Sequence, residues 1–538
     1  MPPLDNAAVA ARLDEYAALL ELAGAGYYQA RAYRRAAATV RTLPAPVTEL
    51  VSAGRARELR GIGPGIETRL RELVETGDIA ELRELERTLS PELAALGRLL
   101  GFGAKRGADI GQALGIRTGE ELLVAARDGR LREVPGIGPK IEARIREALE
   151  RGERRAPLRP LLIHRARPLV ESLAAQLGGV AAGDPRRWKD ASSRLAVAVA
   201  AEDPEPVRAR FAALPEIVTL AAPDLGVTVE GVPVELVVAP PAAFGTALVR
   251  ATGSPEWVTA HEPLPDAPDE AAVFRALGID VVPPELREAC ATPGPLVELS
   301  EIRGDLHAHT TWSDGRASVL EMAEAARALG HEYLAICDHS PAVRVVPGLD
   351  ADQLRRQGEE IARANELLAP FRVLRGLECD IRRDGSLDAP DDVLAELDWV
   401  QLSLHAGQRL PRAELTALVT EAMRHPAVRC LSHPTGRLIG HRPENALDLG
   451  RAFEVALEAG VALEVNGLPD RLDLSGEHVR EAIAAGVKIV CSTDAHSVVG
   501  LGNMELSVRT ARRGGATAAD ALNTRPLAEV LVRPGGIA

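Results

Sequence analysis

Lysine is nearly absent from this sequence: only four of its 63 basic residues are lysine, at positions 105, 140, 189 and 488, and the rest are arginine. Together with the heavy use of alanine, this indicates a GC-rich coding bias, so abundant arginine does not by itself predict nucleic-acid binding. The distribution of charge is more informative than the net charge of −14. Residues 1–160 have a net charge of +3 and the remainder −17, so a polyanionic partner is expected at the front of the chain.

Paired cysteines, long apolar runs and low-complexity tracts are also missing. The five cysteines show no CxxC spacing and fit reduced core thiols better than a disulfide framework; they are Cys290, Cys337, Cys379, Cys430 and Cys491. No apolar run is long enough to span a bilayer, and the N-terminus lacks the profile of a secretory signal. A cytoplasmic protein with no membrane partner is therefore expected, and 538 residues are too many for one ordinary core.

The first 150 residues have helical apolar spacing interrupted by glycine-rich turns. Two turns are near copies, "LRGIGPGIETRLREL" from Leu59 and "VPGIGPKIEARIREAL" from Val134. This is the helix-hairpin-helix pattern, in which glycines let a phosphate approach the backbone and the next helix offers its N–H groups. A packing turn is the alternative, but two copies favour DNA-backbone binding, with the candidate residues Gly61, Gly63, Gly65, Gly136, Gly138 and Lys140.

Histidine is distributed very unevenly, since ten of the twelve lie after residue 300. Six of these histidines and three carboxylates follow short apolar runs that alternate with amphipathic helices. In an α/β barrel the carboxyl ends of such strands meet at one mouth, so residues far apart in sequence come together. The nine candidate metal ligands are His307, His309, Asp314, His339, Glu378, His405, His433, Asp494 and His496.

Nine ligands exceed the four or so that a single Zn²⁺ takes, so the sequence predicts two or three divalent ions. Mixed nitrogen and oxygen ligands suit Mn²⁺, Zn²⁺ or Fe²⁺. Scattered core or surface histidines are the alternative, which fits a lone histidine better than nine residues at successive strand ends. We interpret His331, His425 and His478 as core or surface histidines of this ordinary kind. His441, beside Arg442, could contact an anion near the mouth.

Residues 304 to about 525, from "DLHAHTTWSDG" to "STDAHS" and "ALNTRPL", resemble a PHP (polymerase and histidinol phosphatase) domain, and the nine positions match its three-metal ligand set. The resemblance implies a distorted (βα)7 barrel that hydrolyses phosphoesters, with these nine residues as its catalytic metal site. Clustered cations suit this reaction because they activate water and neutralise phosphoryl oxygens. Arg437, in "HPTGRL", is a candidate phosphate clamp, and a solvated loop arginine is the alternative.

With "ARAYRRAAATVRTLP" from Ala30 and "DVVPPELREA" from Asp280, these motifs make the whole chain resemble a bacterial family X DNA polymerase. The resemblance implies a multidomain chain. A helical DNA-binding domain with helix-hairpin-helix motifs is expected at residues 1–155. A degenerate α+β nucleotidyltransferase palm with a shortened thumb follows at 156–295, and an α/β PHP barrel at 300–538.

The palm departs from the family's pattern. In the family its strand reads Gly-Ser-x-Arg-Arg and then Asp-x-Asp, whereas "GDPRRWKDASSRLAVAV" has Arg194 and Ala196 at the two aspartate positions. Arginine and alanine cannot hold the Mg²⁺ ions of a polymerase. The third acid falls on Glu235 and the lyase lysine of some relatives on Gly65, so neither polymerisation nor Schiff-base lyase activity is expected.

The sequence therefore predicts a metal-dependent phosphoesterase of DNA repair, a 3′–5′ exonuclease or 3′-end phosphatase that acts as a monomer on gapped or 3′-end-containing DNA. Three alternatives stay open. The first is an active polymerase that uses an acid not yet identified, and the second is a non-catalytic DNA-end-binding protein. The third is a small-molecule phosphatase of the histidinol phosphate type, which is disfavoured because such an enzyme needs no DNA-binding architecture.

Overall fold

The computed structural model describes residues 5–23, 25, 27–41, 43, 45–59, 61–151, 160–288, 294–343 and 346–532. Within it the chain divides into two compact units, residues 1–187 with 191–288 and residues 188–190 with 289–538. Cys290, residues 152–159 and with them the predicted domain boundary near residue 155 lie outside the described residues. The three-domain division thus stays a prediction. No helix in the described part of the chain is long and apolar enough to cross a membrane.

The first unit begins with nine helices. They are α1 (Asn6–Leu22), α2 (Tyr27–Arg41), α3 (Val47–Ser52), α4 (Pro64–Thr76), α5 (Ala80–Thr88), α6 (Pro91–Leu99), α7 (Ala104–Leu114), α8 (Gly119–Arg127) and α9 (Pro139–Arg151). Local signals fix their ends: Thr118 and Glu121 form a capping box at the start of α8, and Gly77 ends α4 in the left-handed conformation. One hydrophobic core extends from Val9 to Leu82 and a second begins at Leu93.

The rest of the first unit combines helices with a small sheet. Its elements are β1 (Leu161–Leu162), α10 (Ile163–Leu177), β2 (Val180–Ala182), α11 (Gly183–Arg186), β3 (Ala191–Ser192), β4 (Leu195–Ala200), α12 (Glu205–Ala212), β5 (Thr219–Ala222), β6 (Leu225–Val227), β7 (Pro233–Ala239), α13 (Phe244–Thr252), α14 (Pro255–His261) and α15 (Glu270–Leu277). The five-stranded sheet has the order β2-β4-β7-β6-β5, in which only β4 and β7 are parallel. Strands β6 and β7 form a hairpin, and Gly231 in its turn has a φ of 77°.

The second unit is an α/β barrel. Its elements are β8 (Gly304–Ala308), α16 (Val319–Ala328), β9 (Tyr333–Ile336), α17 (Ala351–Leu368), β10 (Arg372–Asp380), α18 (Asp391–Leu394), β11 (Trp399–Ser403), α19 (Arg412–Met423), β12 (Val428–Leu431), α20 (Leu449–Ala459), β13 (Ala462–Asn466), α21 (Gly476–Ala484), β14 (Ile489–Ser492), α22 (Met504–Arg513) and α23 (Leu527–Val530).

The seven strands β8 to β14 are parallel and neighbour one another in chain order. The sheet is nearly closed, because Ala495, just after β14, bridges Ala308 at the end of β8. Every residue of β8, β9, β11, β13 and β14 is buried, as expected for strands covered on both faces. The predicted fold class is confirmed: helical hairpins, an α+β sheet and a (βα)7 barrel.

Candidate metal centre

The predicted metal ligands lie at or just beyond the carboxyl ends of six barrel strands. The strands and their residues are β8 with His307, His309 and Asp314, β9 with His339, β10 with Glu378, β11 with His405, β12 with His433, and β14 with Asp494 and His496. Since these strands are parallel neighbours, their carboxyl ends meet at one mouth. The structure thus brings all nine residues together, while their role as ligands stays a prediction.

Glu378 lies at the centre of the cluster, with five imidazoles within 4 Å of its carboxylate. One carboxylate oxygen is 2.9 Å from His433 Nε2 and 3.7 Å from His405 Nε2. The other oxygen is 2.8 Å from His339 Nδ1 and 3.6 Å from Nε2 of both His307 and His309. A carboxylate with imidazoles beside both of its oxygens would be a ligand shared by the two sides of the cluster if metal is bound.

A second carboxylate, Asp314, lies on the solvent side of the cluster. Its oxygens are 3.2 Å from His496 Nε2 and 3.5 Å from His339 Nε2. Asp314, His405 and His496 retain 26%, 23% and 33% of their side-chain exposure, whereas the other predicted ligands are buried. The cluster is therefore open to solvent on this side.

The donor atoms fall into three overlapping groups that could each hold an ion. Within each group the potential ligand atoms lie within 4.8 Å of one another. The groups are His309 with Asp314, His339 and His496; His307 with His309 and Glu378; and His339 with Glu378 and His405. Such a set of imidazoles and carboxylates is compatible with more than one divalent ion.

The charge states of His309 and Glu378 also fit a metal. Burial, together with the neighbouring His496 and His339, lowers the pKa of His309 to about 3, so its imidazole is neutral, the form that binds metal. Burial alone would raise the pKa of Glu378, but the surrounding histidines hold it well below its usual range. The buried His309 Nδ1 has no hydrogen-bond partner, and its Nε2 lies 3.1 Å from His307 Nε2. A cation in the cluster would satisfy the unpartnered His309 Nδ1.

Two of the predicted ligands have unusual backbone conformations. Asp494 has a φ of 53° and His433 a φ of 25°, in the left-handed region that non-glycine residues seldom adopt. Strained residues of this kind concentrate at functional sites, where the surrounding structure holds them in place. These backbone conformations place the two side chains at the ends of β12 and β14.

Buried acids around the cluster were missed by the sequence reasoning. Glu464, inside β13, accepts hydrogen bonds from His307 Nδ1 at 2.7 Å and from the His433 backbone N–H at 2.6 Å. Asp380 accepts from the His405 backbone N–H at 2.9 Å and lies 3.2 Å from His405 Nδ1. An acid within the apolar run "VALEVNG" was the available signal for Glu464. These carboxylates orient the predicted ligands.

The predicted phosphate clamp Arg437 already has partners within the second unit. Its guanidinium donates to Asp190 at 2.6 Å, to the Arg471 carbonyl at 2.9 Å and to the Leu472 carbonyl. Asp190 also pairs with Arg513 at 2.5 Å. These contacts make Arg437 a brace between loops, and its phosphate contact stays a prediction. The same holds for His441, which is exposed in the hairpin beside Arg442.

The two glycine-rich turns have the same structure. Gly61 and Gly136 have φ angles of 77° and 83°, and Ile62 and Ile137 are buried beneath the turns. The following helices, α4 and α9, start with a proline. A methyl group at Gly63, Gly65 or Gly138 would meet no atom within 4 Å, and none of the three has a left-handed backbone. The fold itself thus gives no steric reason for glycine at these three positions. Lys140 is exposed in the second turn.

Ion pairs surround strand β4, in the region where the sequence predicts a degenerate palm. Ala196 of β4 is registered with Glu235 of β7, and the Glu235 carboxylate pairs with Arg194. Arg186 forms a bidentate salt bridge with Glu270, with hydrogen bonds of 2.7 and 2.8 Å. Arg187 pairs with Asp184 at 2.5 Å and with a second acid, Glu288. Residues of the chain itself therefore neutralise the arginines of this region.

Three family models match the chain: a helix-hairpin-helix domain over residues 4–79, a SAM-like helix-hairpin-helix tandem over residues 95–151 and a PHP domain over residues 305–460. The DNA polymerase/3′-5′ exonuclease PolX of Bacillus subtilis is 32% identical, covering 96% of this chain and 97% of that protein. Probable phosphatases of Acetivibrio thermocellus and Shewanella frigidimarina are 32% and 28% identical over 36% and 41% of this chain, which is 78% and 89% of their own lengths.

The barrel, its cluster of imidazoles and carboxylates and the matching family model define the second unit as a PHP domain, a metal-dependent class of phosphoesterase. The likeness to the Bacillus protein extends over nearly the whole of both chains, hairpins and palm-like region included. The chain belongs to the PolX family, bacterial family X DNA polymerases with a C-terminal PHP domain.

Proposed function

We propose that the protein is a metal-dependent phosphoesterase that acts on DNA as a 3′–5′ exonuclease. The observation that carries the proposal is the Glu378 carboxylate, which lies within 4 Å of five imidazoles at the mouth of the barrel. A 3′-end phosphatase is the second candidate, favoured by the likeness of the PHP barrel to probable phosphatases. Both reactions use the same site.

Two or three divalent ions, Mn²⁺, Zn²⁺ or Fe²⁺, would be held by the nine predicted ligands. When bound, such ions supply an activated water and neutralise phosphoryl oxygens. The protein's own groups keep His309 neutral and Glu378 ionised for this purpose, and Glu464 fixes the imidazole of His307 through its Nδ1. The exposed side of the cluster, at Asp314, His405 and His496, is where a DNA end would enter.

The glycine-rich turns are proposed to hold the DNA backbone. Gly63, Gly65 and Gly138 leave open space at the start of a helix, where backbone N–H groups and the helix dipole favour a phosphate. Gly61 and Gly136 shape the turns, and Lys140 adds a positive charge. The partner is proposed to be gapped or 3′-end-containing DNA, bound by a monomer.

Polymerase activity is proposed to be lost. Of the three acids expected in a palm, Glu235 alone is present, and its carboxylate forms an ion pair with Arg194. An arginine beside this carboxylate would repel the Mg²⁺ ions that polymerisation needs. The guanidinium groups of Arg186 and Arg187, which would otherwise be free to bind a triphosphate, likewise form ion pairs with acids of the chain.

The test is a nuclease assay with Mn²⁺ on a 5′-labelled primer annealed to a gapped template. We expect shortening from the 3′ end, and a loss of at least a hundredfold in His307→Ala, because that residue is central to the predicted cluster. His478→Ala is the matched control, since His478 lies in α21, paired with Glu444 at 3.0 Å and outside the cluster. A parent protein as inactive as His307→Ala would refute the proposal.

The same samples distinguish the alternatives. Primer extension with deoxynucleotides that is lost in Glu235→Ala but kept in His307→Ala would restore the polymerase interpretation. Release of phosphate from a 3′-phosphorylated primer without shortening would favour the phosphatase. Hydrolysis of histidinol phosphate that DNA does not inhibit would favour a small-molecule enzyme, and salt-sensitive DNA binding without turnover would favour a binding protein.

A further inference from the structure

Two arginines in loops at the mouth of the barrel lack acidic partners. Arg442 lies in the hairpin after β12, and Arg471 lies in the turn after β13. Among the residues that the structure describes, neither guanidinium forms an ion pair with a carboxylate, and the Arg442 side chain donates from Nε to the Gly436 carbonyl at 2.8 Å. Arg437, in the same region, is fully engaged with Asp190 and two carbonyl groups.

The loops that carry these arginines are fixed to each other. The Ile439 N–H donates to the Asp470 carbonyl at 2.7 Å, and Arg437 Nε donates to the Arg471 carbonyl at 2.9 Å. Leu438 and Arg442 are joined by an antiparallel bridge. The backbone at both arginines is therefore held in place while their guanidinium groups keep donors free, which is the arrangement of a preorganised anion site.

Arg442 and Arg471 are close enough for their positive charges to repel each other. Partial burial and then the charge of Arg471 lower the pKa of Arg442. The buried Asp473 carboxyl attracts Arg442, but burial raises the pKa of Asp473 itself. Because β12 and β13 are parallel neighbours, the loops that carry the two arginines leave the same mouth of the barrel, beside His433 at the end of β12.

We propose that Arg442 and Arg471 form a phosphate subsite that takes the internucleotide phosphate next to the phosphodiester being hydrolysed. The proposal rests on the proposed nuclease function. The hydrolysed group belongs to the predicted metal cluster, whereas the arginines lie on loops at its rim, so the phosphate that they bind is a neighbouring one. A guanidinium can donate to two phosphate oxygens at once, and an anion between the arginines would relieve their mutual repulsion.

The test compares Arg471→Gln and Arg442→Gln with Arg363→Gln, an exposed arginine of α17. We expect KM for a single-stranded oligonucleotide to rise about tenfold for each change at the mouth. The slope of log KM against log salt should become shallower by about 0.7 per lost phosphate contact. Turnover of bis(p-nitrophenyl) phosphate, which has no neighbouring phosphate, should stay within about twofold of the parent, since no contact made in its transition state is removed.

A binding measurement gives a readout that does not depend on turnover. A fluorescein-labelled thymidine pentamer, with phosphorothioate linkages to resist hydrolysis, is titrated into the metal-loaded protein, and Arg471→Gln should bind it about tenfold more weakly, with partial recovery in Arg471→Lys. Equal affinity and equal KM in the mouth variants and Arg363→Gln would overturn the subsite. Equal losses on the oligonucleotide and the small diester would also overturn it, because the arginines would then act on the hydrolysed group.

The two proposals fail in different ways. A parent protein that cleaves neither substrate refutes the nuclease function, and the pentamer titration still decides whether the two arginines bind phosphate. A parent protein that cleaves DNA, with mouth variants that behave like the control, refutes the subsite alone.

Discussion

At the scale of single residues, Glu464 shows how the barrel supports its predicted ligands. Its carboxylate is completely buried and accepts hydrogen bonds from His307 Nδ1, the His433 N–H, Gln401 at 3.0 Å and Ser492 at 2.5 Å. A buried charge persists only when it is paired and hydrogen-bonded in this way. Because it acts on two predicted ligands, Glu464 is a positioning residue for the cluster.

Replacing Glu464 by glutamine should weaken metal binding more than it weakens the fold. The amide keeps the shape of the side chain but loses the charge that fixes the His307 imidazole, so we expect metal affinity to fall about 10- to 100-fold. Competition with a chromophoric chelator measures the affinity, and Glu454→Gln, an exposed acid of α20, is the control. Unchanged affinity in Glu464→Gln would contradict the positioning role.

The low pKa of His164, in α10, leads us to expect that acid destabilises the first unit. Burial and the charges of Arg165 and Arg31 lower its pKa to about 3, and its Nδ1 has no hydrogen-bond partner. Between pH 6.5 and 3 the unfolded chain therefore binds more protons than the folded one, so stability falls as the pH falls, by about 1.4 kcal/mol per pH unit. Urea titrations at pH 7 and pH 5 should show a loss about 2 kcal/mol smaller in His164→Gln than in the parent. An equal loss of unfolding free energy in the parent and in His164→Gln would contradict this role of His164.

At the scale of elements, the sequence could predict the barrel and its ligands because chemistry and topology coincide there. Each short apolar run ends at a strand terminus, and parallel strands bring those termini together, so His307 and Asp494 could be grouped from sequence alone. Glu464 could not be assigned to the cluster in this way, because it lies in the interior of a strand. The groups that donate hydrogen bonds to Glu464 come from four separate strands or strand ends, which no local sequence pattern connects. The pairing of Arg437 with Asp190 was equally hidden, since those residues are 247 positions apart.

The glycine-rich turns yield a prediction that separates folding from binding. Gly136 has a φ of 83°, so Gly136→Ala should lose about 1–2 kcal/mol of stability. Gly138 has open space around it and no left-handed backbone, so Gly138→Ala should stay within about 1 kcal/mol of the parent. If a phosphate approaches this turn closely, Gly138→Ala should nevertheless bind duplex DNA more weakly. Thermal melting and fluorescence anisotropy test the two effects, and unaltered DNA affinity in Gly138→Ala would count against the turn as a contact.

At the scale of the whole molecule, acidic charge and metal chemistry are concentrated in the same part of the chain. The chain carries a net charge of −14, to which residues 1–288 contribute −4 and residues 289–538 contribute −10. The second unit contains all nine predicted ligands, three of them carboxylates, and two of these are almost completely buried. Divalent cations would offset this local charge, so they should stabilise the second unit as well as serve catalysis.

Removal of metal should therefore loosen one unit and leave the other unchanged. A ligand that binds only the folded state at a hundred times its Kd adds about 2.7 kcal/mol of stability. Chelation should then speed hydrogen exchange in barrel peptides such as residues 304–308 and 489–492, while peptides of residues 161–288 keep their rates. His307→Ala should exchange quickly with or without chelator, whereas His478→Ala should respond like the parent. Equal acceleration in both units would mean that the stabilising ions are not held by the barrel cluster.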